Sequence, residues 1–176
     1  MIMILMDFID FKSEIQKEYD NALSNLQIHR ISCPYCKHHG HLIFHGAYVR
    51  HIHFGYDKPE ITIQRVKCTH CKKTHALLPS SLVPYSQIPL KYQVAMAETY
   101  LQYKSFQSVF DLLCDYPEDT IRKLLLVFMS NWLELCKSYN LQLQNLALLT
   151  PQCVSLFMKQ FLQNRKLYLS YYLTPT

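Results

Sequence analysis

Glycine is almost missing from this chain: three of 176 residues, Gly40, Gly46 and Gly55, against a usual share of roughly 7%. No GxGxxG or GxxxxGK can be written with them, which excludes the glycine-rich loops that cradle nucleotide phosphates. Charge is sparse too. With 18% charged and 49% hydrophobic residues, a disordered, solvating chain is excluded. Long apolar runs are lacking as well: the best segments, around 124–135 and 141–149, are broken by Ser130, Asn131, Glu134, Gln142 and Gln144, short of the roughly 20 residues a membrane span needs. Residues 1–6 are apolar but have no basic n-region and no small-residue cleavage site, so they do not read as a signal peptide. The expectation is a cytoplasmic protein without a membrane partner, whose thiols stay reduced.

What is present is unevenly spread. All nine histidines fall between His29 and His75, in a stretch that holds eight lysines and arginines against Asp57 and Glu60, although the whole chain is only +5. The first 28 residues are net acidic. A basic block of this kind points first to a polyanionic partner, with a solvated structural face as the alternative; no small-molecule substrate is expected.

Four of the seven cysteines form two pairs, Cys33-Pro34-Tyr35-Cys36 and Cys68-Thr69-His70-Cys71. Each pair puts two thiolates on one tight turn, and two such turns brought together supply the four soft ligands of a tetrahedral structural zinc site. A mixed ligand set, with His70 or His75 replacing a thiolate, is an alternative. His38, His39, His41, His51 and His53 are formal candidates for a catalytic zinc, but that needs an open position and a general base. Cys114, Cys136 and Cys153 stand alone in apolar surroundings and read as core residues.

Between the pairs the chain must leave and return. Leu42, Phe44, Tyr48, Ile52 and Phe54 fall on even positions, with His45, His51 and His53 on odd ones, and after a turn at 55–59 Ile61 and Ile63 alternate with Thr62 and Gln64. This predicts a hairpin with one apolar face and one face of imidazoles and cations, closed at its base by zinc. Pro79, Pro84 and Pro89 with Ser80, Ser81 and Ser86 then mark an extended connector.

Beyond it the period becomes helical. Leu90, Val94, Ala97 and Leu101 predict a helix over 90–103; Ser105 is an N-cap for a short helix with Phe106, Val109, Phe110 and Leu113. Pro117 suits the first position of a third helix, on which Ile121, Leu124, Leu125, Phe128, Trp132 and Leu135 keep helical spacing. That order is the order of a helix-turn-helix unit, and also of any small helical bundle whose third helix only packs. The third helix carries Arg122 and Lys123 behind Glu118 and Asp119, carboxylates that suit the helix dipole. A strand or turn and then a helix over about Phe11 to Leu26 precede the first cysteine pair, and Thr150-Pro151 predicts the start of a last helix. The tail interleaves Arg165 and Lys166 with Tyr168, Tyr171 and Tyr172.

The run Cys33-Pro34-Tyr35-Cys36, the returning Arg65-Val66-Lys67-Cys68, then Cys71-Lys72-Lys73-Thr74-His75-Ala76-Leu77-Leu78-Pro79 and Val83-Pro84-Tyr85 resembles a bacterial family of short uncharacterised proteins. That family in turn is similar to the amino-terminal zinc-ribbon and helix-turn-helix regions of insertion-sequence transposases. The resemblance covers about 30–135 and implies DNA binding linked to mobile elements, with zinc as cofactor. The helical sequence that follows does not supply the carboxylate-bearing sheet of a transposase core, so no enzyme is expected.

The expected fold is therefore α+β: an N-terminal helical segment (1–28), a small β zinc ribbon (29–78), a linker (79–89), a helix-turn-helix-like all-α unit (90–140) and a C-terminal helix and tail (141–176). The expected metal ligands are Cys33, Cys36, Cys68 and Cys71, holding one zinc. The expected nucleic-acid contacts are Arg50, Arg65, Lys67, Lys72, Lys73, Arg122 and Lys123, with DNA as partner. The rival reading is a zinc-containing protein-interaction module whose helical half binds another subunit through apolar positions around Met129 to Leu149.

Overall fold

The computed structural model describes residues 1–6, 14–163 and 170–173. Strands β1 (Ile2–Leu5), β2 (Leu42–His51), β3 (Glu60–Cys68), β4 (Thr74–Pro79) and β5 (Ser170–Leu173) form one sheet in the order β2-β3-β4-β1-β5. Its described helices are α1 (Ile15–Ser24), α2 (Leu90–Tyr103), α3 (Phe106–Leu112), α4 (Glu118–Asn131), α5 (Leu133–Ser138) and α6 (Leu146–Phe157), which makes the fold mixed α+β. None of them is long and apolar enough to cross a membrane.

The expected hairpin forms, running antiparallel from Leu42↔Cys68 to His51↔Glu60, with a register shift between Phe44 and Ala47. Gly46 sits in that bulge at φ +79, a backbone conformation that costs glycine nothing and other residues a Cβ clash. The two-faced reading of β2 does not hold. As the edge of the sheet it leaves every side chain from Ile43 to Val49 exposed, so even and odd positions do not separate buried from wet ones. The inward positions belong to β3, where Ile61, Ile63, Val66 and Cys68 are buried.

The hairpin is also not alone. β4 pairs with β3 through Arg65↔Ala76, Val66↔His75 and Lys67↔Thr74, and β1 then adds parallel to β4 and to β5. Where β4 has not yet reached, α1 satisfies the amides of β3: Gln16 Oε1 accepts from Thr62 N–H at 2.7 Å, and the Tyr19 hydroxyl accepts from Gln64 N–H at 3.0 Å. Tyr19 also donates to the Leu77 carbonyl at 2.8 Å, so one buried side chain ties α1 to two strands. Residues 11–13, where the α1 reading began, lie outside the described residues, as do Arg165, Lys166 and Tyr168.

The helical half packs a separate apolar cluster, in which Val94, Ala97, Val109, Ile121, Leu125, Phe128, Trp132 and Cys153 are buried. α2 spans the expected residues, and Ser105 caps α3 by accepting from Ser108 N–H at 3.3 Å. The long third helix instead breaks at Trp132, whose φ of −123 separates α4 from α5 and lets the indole pack edge-on against Phe157 and Phe161. The last helix starts earlier than expected. Asn145 caps it by accepting from Leu148 N–H, and Pro151 lies inside α6. Burial of Leu149, Thr150, Cys153 and Val154 outweighs the one intrahelical hydrogen bond that proline removes. Cys114 is exposed, unlike the buried Cys136 and Cys153, because it lies in the turn between α3 and α4.

The stretch read as a connector lies inside the packing: residues 79–84 and 88–90 are all buried. The two halves also meet at the β2–β3 hairpin tip. Tyr116 donates to the His53 carbonyl at 2.9 Å, and Tyr92 lies between Phe54 and Tyr116. Gly55, at φ +60, comes so close that an added Cβ would sit 2.6 Å from Asp115 Cβ.

Candidate metal centre and its cationic surroundings

The two cysteine pairs are built on the same turn. Cys33 N–H donates to the His38 carbonyl and accepts back Lys37 N–H on its own carbonyl, both at 2.9 Å; Cys68 does the same with Lys73 and Lys72, again at 2.9 Å. Lys37 and Lys72 occupy equivalent left-handed positions, at φ 65 and 62. The repeated pattern follows from chemistry: the chain must reverse within one residue of the second thiol so that both sulfurs face the same point.

β3 and β4 carry the second turn back onto the first. Cys33 Sγ lies 3.7 Å from Cys71 Sγ and Cys36 Sγ lies 3.7 Å from Cys68 Sγ, with all four sulfurs within 4.8 Å of one another. A tetrahedron with metal–sulfur bonds of about 2.3 Å has edges of about 3.8 Å. The four-thiol cluster could therefore hold a metal ion, and thiolate softness favours a thiophilic one.

Three of the thiols, Cys33, Cys68 and Cys71, are shifted from the ordinary range. Burial pushes Cys33 up to about 12 and Cys71 upward. Burial acts in the same direction on Cys68, but the amides of Cys71 and His70 and the neighbouring thiols of Cys36 and Cys71 pull it down to about 7. Near neutral pH one thiolate is thus stabilised by donors around it, and a cation entering the cluster displaces the other protons.

His75, a replacement ligand on the sequence alone, is a neighbour of the cluster in the fold. It is buried, and its Nε2 lies 3.3 Å from Cys33 Sγ, outside the four-sulfur group. Burial lowers its pKa to about 4, which keeps the imidazole neutral. Alternation along β4 carries the signal, since His75 pairs with the buried Val66. His70 is not among the four either. It stacks on His38 with centroids 3.7 Å apart, and these two with Cys36 form a second group whose ligand atoms converge.

The expected phosphate contacts divide into two sets. Arg65 and Lys67 lie two residues apart on β3, in register with Ala76 and Thr74 of β4, and Lys72 and Lys73 follow in the second turn. Arg65, Lys72 and Lys73 are exposed and Lys67 half-buried. Arg65 lies beside the bulge, where a Cβ on Gly46 would come to an ordinary contact of 3.8 Å with its guanidinium. Lys72 donates to the Thr69 carbonyl at 2.6 Å. The other set is engaged elsewhere. Arg50 is half-buried, with its guanidinium donating to the carbonyls of Val83 and Ser86, and Arg122 donates to Glu118 at 2.9 Å while lying over Phe106 and Phe110. Lys123 is exposed on α4, away from the residues of the cysteine turns in sequence.

A family model described as a domain of unknown function (DUF6431) matches residues 33–123, just over half of the chain, from the first ligand cysteine into α4. No curated protein and no solved structure matches the chain.

Proposed function

Because the chain belongs to this family of domains of unknown function, DUF6431, which brings no activity with it, we propose from its own residues that it is a zinc-stabilised DNA-binding protein. The observation that carries the reading is the pairing of a four-sulfur cluster of tetrahedral dimensions with Arg65, Lys67, Lys72 and Lys73 on the strand and turn that the cluster closes. Zinc fits this donor set: four thiolates in a closed tetrahedron are the structural type of site, with every position held by protein. Its task is then to hold the ribbon-like hairpin and its cations in place. α2, α3 and α4 follow the order of a helix-turn-helix unit and would add a second contact through Lys123. The resemblance to the amino-terminal regions of insertion-sequence transposases supports an association with mobile elements, as a binder without the catalytic core.

The test is binding of labelled DNA to the zinc-loaded protein across a range of salt. If all four cations neutralise phosphates, the logarithm of the binding constant for duplex should fall against log salt with a slope of about −3.6, and Arg65→Ala/Lys67→Ala should lower that slope by roughly two. Binding unchanged in that variant removes the reading. The rival, a protein-interaction module, is favoured by Leu126, Tyr139 and Leu148, each about half exposed on the helical half; it calls for association that persists in high salt.

A further inference from the structure

Beside the cysteine turns lies an open cleft of about 450 Å³, lined by Tyr35, Tyr48 and Tyr85 together with Lys73, Thr74 and Ala76. Its volume is in the range of small-ligand sites, roughly 300–1,000 Å³. Tyr35, Tyr48 and Tyr85 are 43%, 37% and 80% exposed, whereas this chain buries Tyr19 and Tyr116 completely or nearly so. The three tyrosines line one open cleft, where the rings of Tyr48 and Tyr85 stay partly exposed and Lys73 lies over that of Tyr35.

Those rings are held in place. Tyr35 stands between Cys33 and Cys36, so the metal turn positions it, and the Lys73 ammonium lies 5.4 Å from its ring centroid. Tyr85 adopts φ +63, a conformation that a tyrosine takes only when its surroundings impose it. The surroundings are Arg50, whose guanidinium donates to the carbonyls on both sides of Tyr85, those of Val83 and Ser86. An arginine drawn partly out of water thus clamps a turn that holds an aromatic ring out into it.

Charge narrows the ligand. No acidic side chain lines the cleft among the described residues, Lys73 stands in its wall, and two of its lining residues, Thr74 and Ala76, have Lys67 and Arg65 as their strand partners. A ligand that offers flat π faces and regular negative charges fits both features. In a duplex the base faces are hidden by stacking; in an unpaired strand they are free. Resting on the DNA-binding reading above, we infer that this cleft captures an unpaired nucleobase between its tyrosines, with the flanking phosphates on Lys73, Lys67 and Arg65, so that the protein prefers single-stranded over double-stranded DNA.

The test uses the full zinc-loaded chain and fluorescence anisotropy with a labelled twelve-nucleotide thymine strand and with the same strand annealed to its complement. The single strand should bind at least about tenfold more tightly. Tyr85→Ala should weaken single-strand binding about tenfold, within the five- to 150-fold that one base–aromatic stack is worth, and leave duplex binding and zinc content unchanged. Tyr85→Phe, which keeps the ring, should bind like wild type. Equal affinity for both forms, or no effect of Tyr85→Ala and Tyr35→Ala, overturns the inference; if Arg65→Ala/Lys67→Ala still weakens binding, the DNA-binding reading survives it. Failure to bind either form defeats both. Binding of a proline-rich peptide that the thymine strand does not displace overturns the inference and assigns the cleft to protein recognition.

Discussion

Around Trp132 the helical half sets Phe157 and Phe161 edge to face at 5.8 and 5.2 Å, with Phe128 buried beside them. Around Cys33 the sheet half instead brings four sulfurs within 4.8 Å and leaves β2 in water from Ile43 to Val49. Both halves have an apolar cluster, but among the described residues it is the sheet half that gathers four thiols able to hold a cation. The helical half can be held by burial of rings. The first turn of the sheet half meets the second through the thiols and through the stack of His38 on His70.

The sharpest way to break that contrast is to strip the cysteine cluster of metal. On the zinc-site reading, where structural zinc contributes about 10–16 kcal/mol, chelation or Cys68→Ser should abolish amide-exchange protection through β2 and the cysteine turns while α2 and α4 remain protected. Loss of protection in both halves at the same chelator concentration would show that they do not differ. The converse is Trp132→Ala, expected to cost about 3–5 kcal/mol in urea unfolding of the helical half, with zinc content per chain unchanged.

Acid should act on the sheet half alone. The thiols of Cys33 and Cys71 are raised and must lose protons to a metal, whereas Cys68 at about 7 is already close to ionised. Metal affinity should therefore rise with pH and fall as pH drops, by roughly tenfold per unit for each proton displaced; competition against a chromophoric chelator at pH 6.5 and 7.5 measures it. The smallest effect concerns the seam between the halves. Gly55→Ala would set a Cβ 2.6 Å from Asp115 Cβ at a positive φ, costing about 1–3 kcal/mol, and Asp115→Gly in the same chain should recover the steric part.

Much of the candidate site was legible because its chemistry is local. Two Cys-x-x-Cys turns carry their geometry within six residues each, and the four thiols they offer are a donor set that suits a soft cation. Helical spacing likewise marked α2 and the Ser105 cap. Other features were hidden because they depend on distant partners. Cys114 reads like Cys136 in its apolar neighbourhood, but a turn exposes it. Pro151 reads as a helix start, yet burial on either side of it carries α6 through. Arg50 looks like one more cation of a basic block until Val83 and Ser86, more than 30 residues away, take its donors.

The residue order by itself determined that four thiols at two tight turns are available to one ion, and where the chain changes from strand to helix, since ligand type and periodicity belong to neighbouring residues. The tertiary structure alone decided that β1 enters the sheet beside β4, which of the cations stay in solvent, that Gly55 must lack a side chain, and that three tyrosines far apart in the chain share one cleft. Each of these follows from contacts between segments whose separation no local pattern encodes, and burial and hydrogen-bond satisfaction settle them only when the chain has closed on itself.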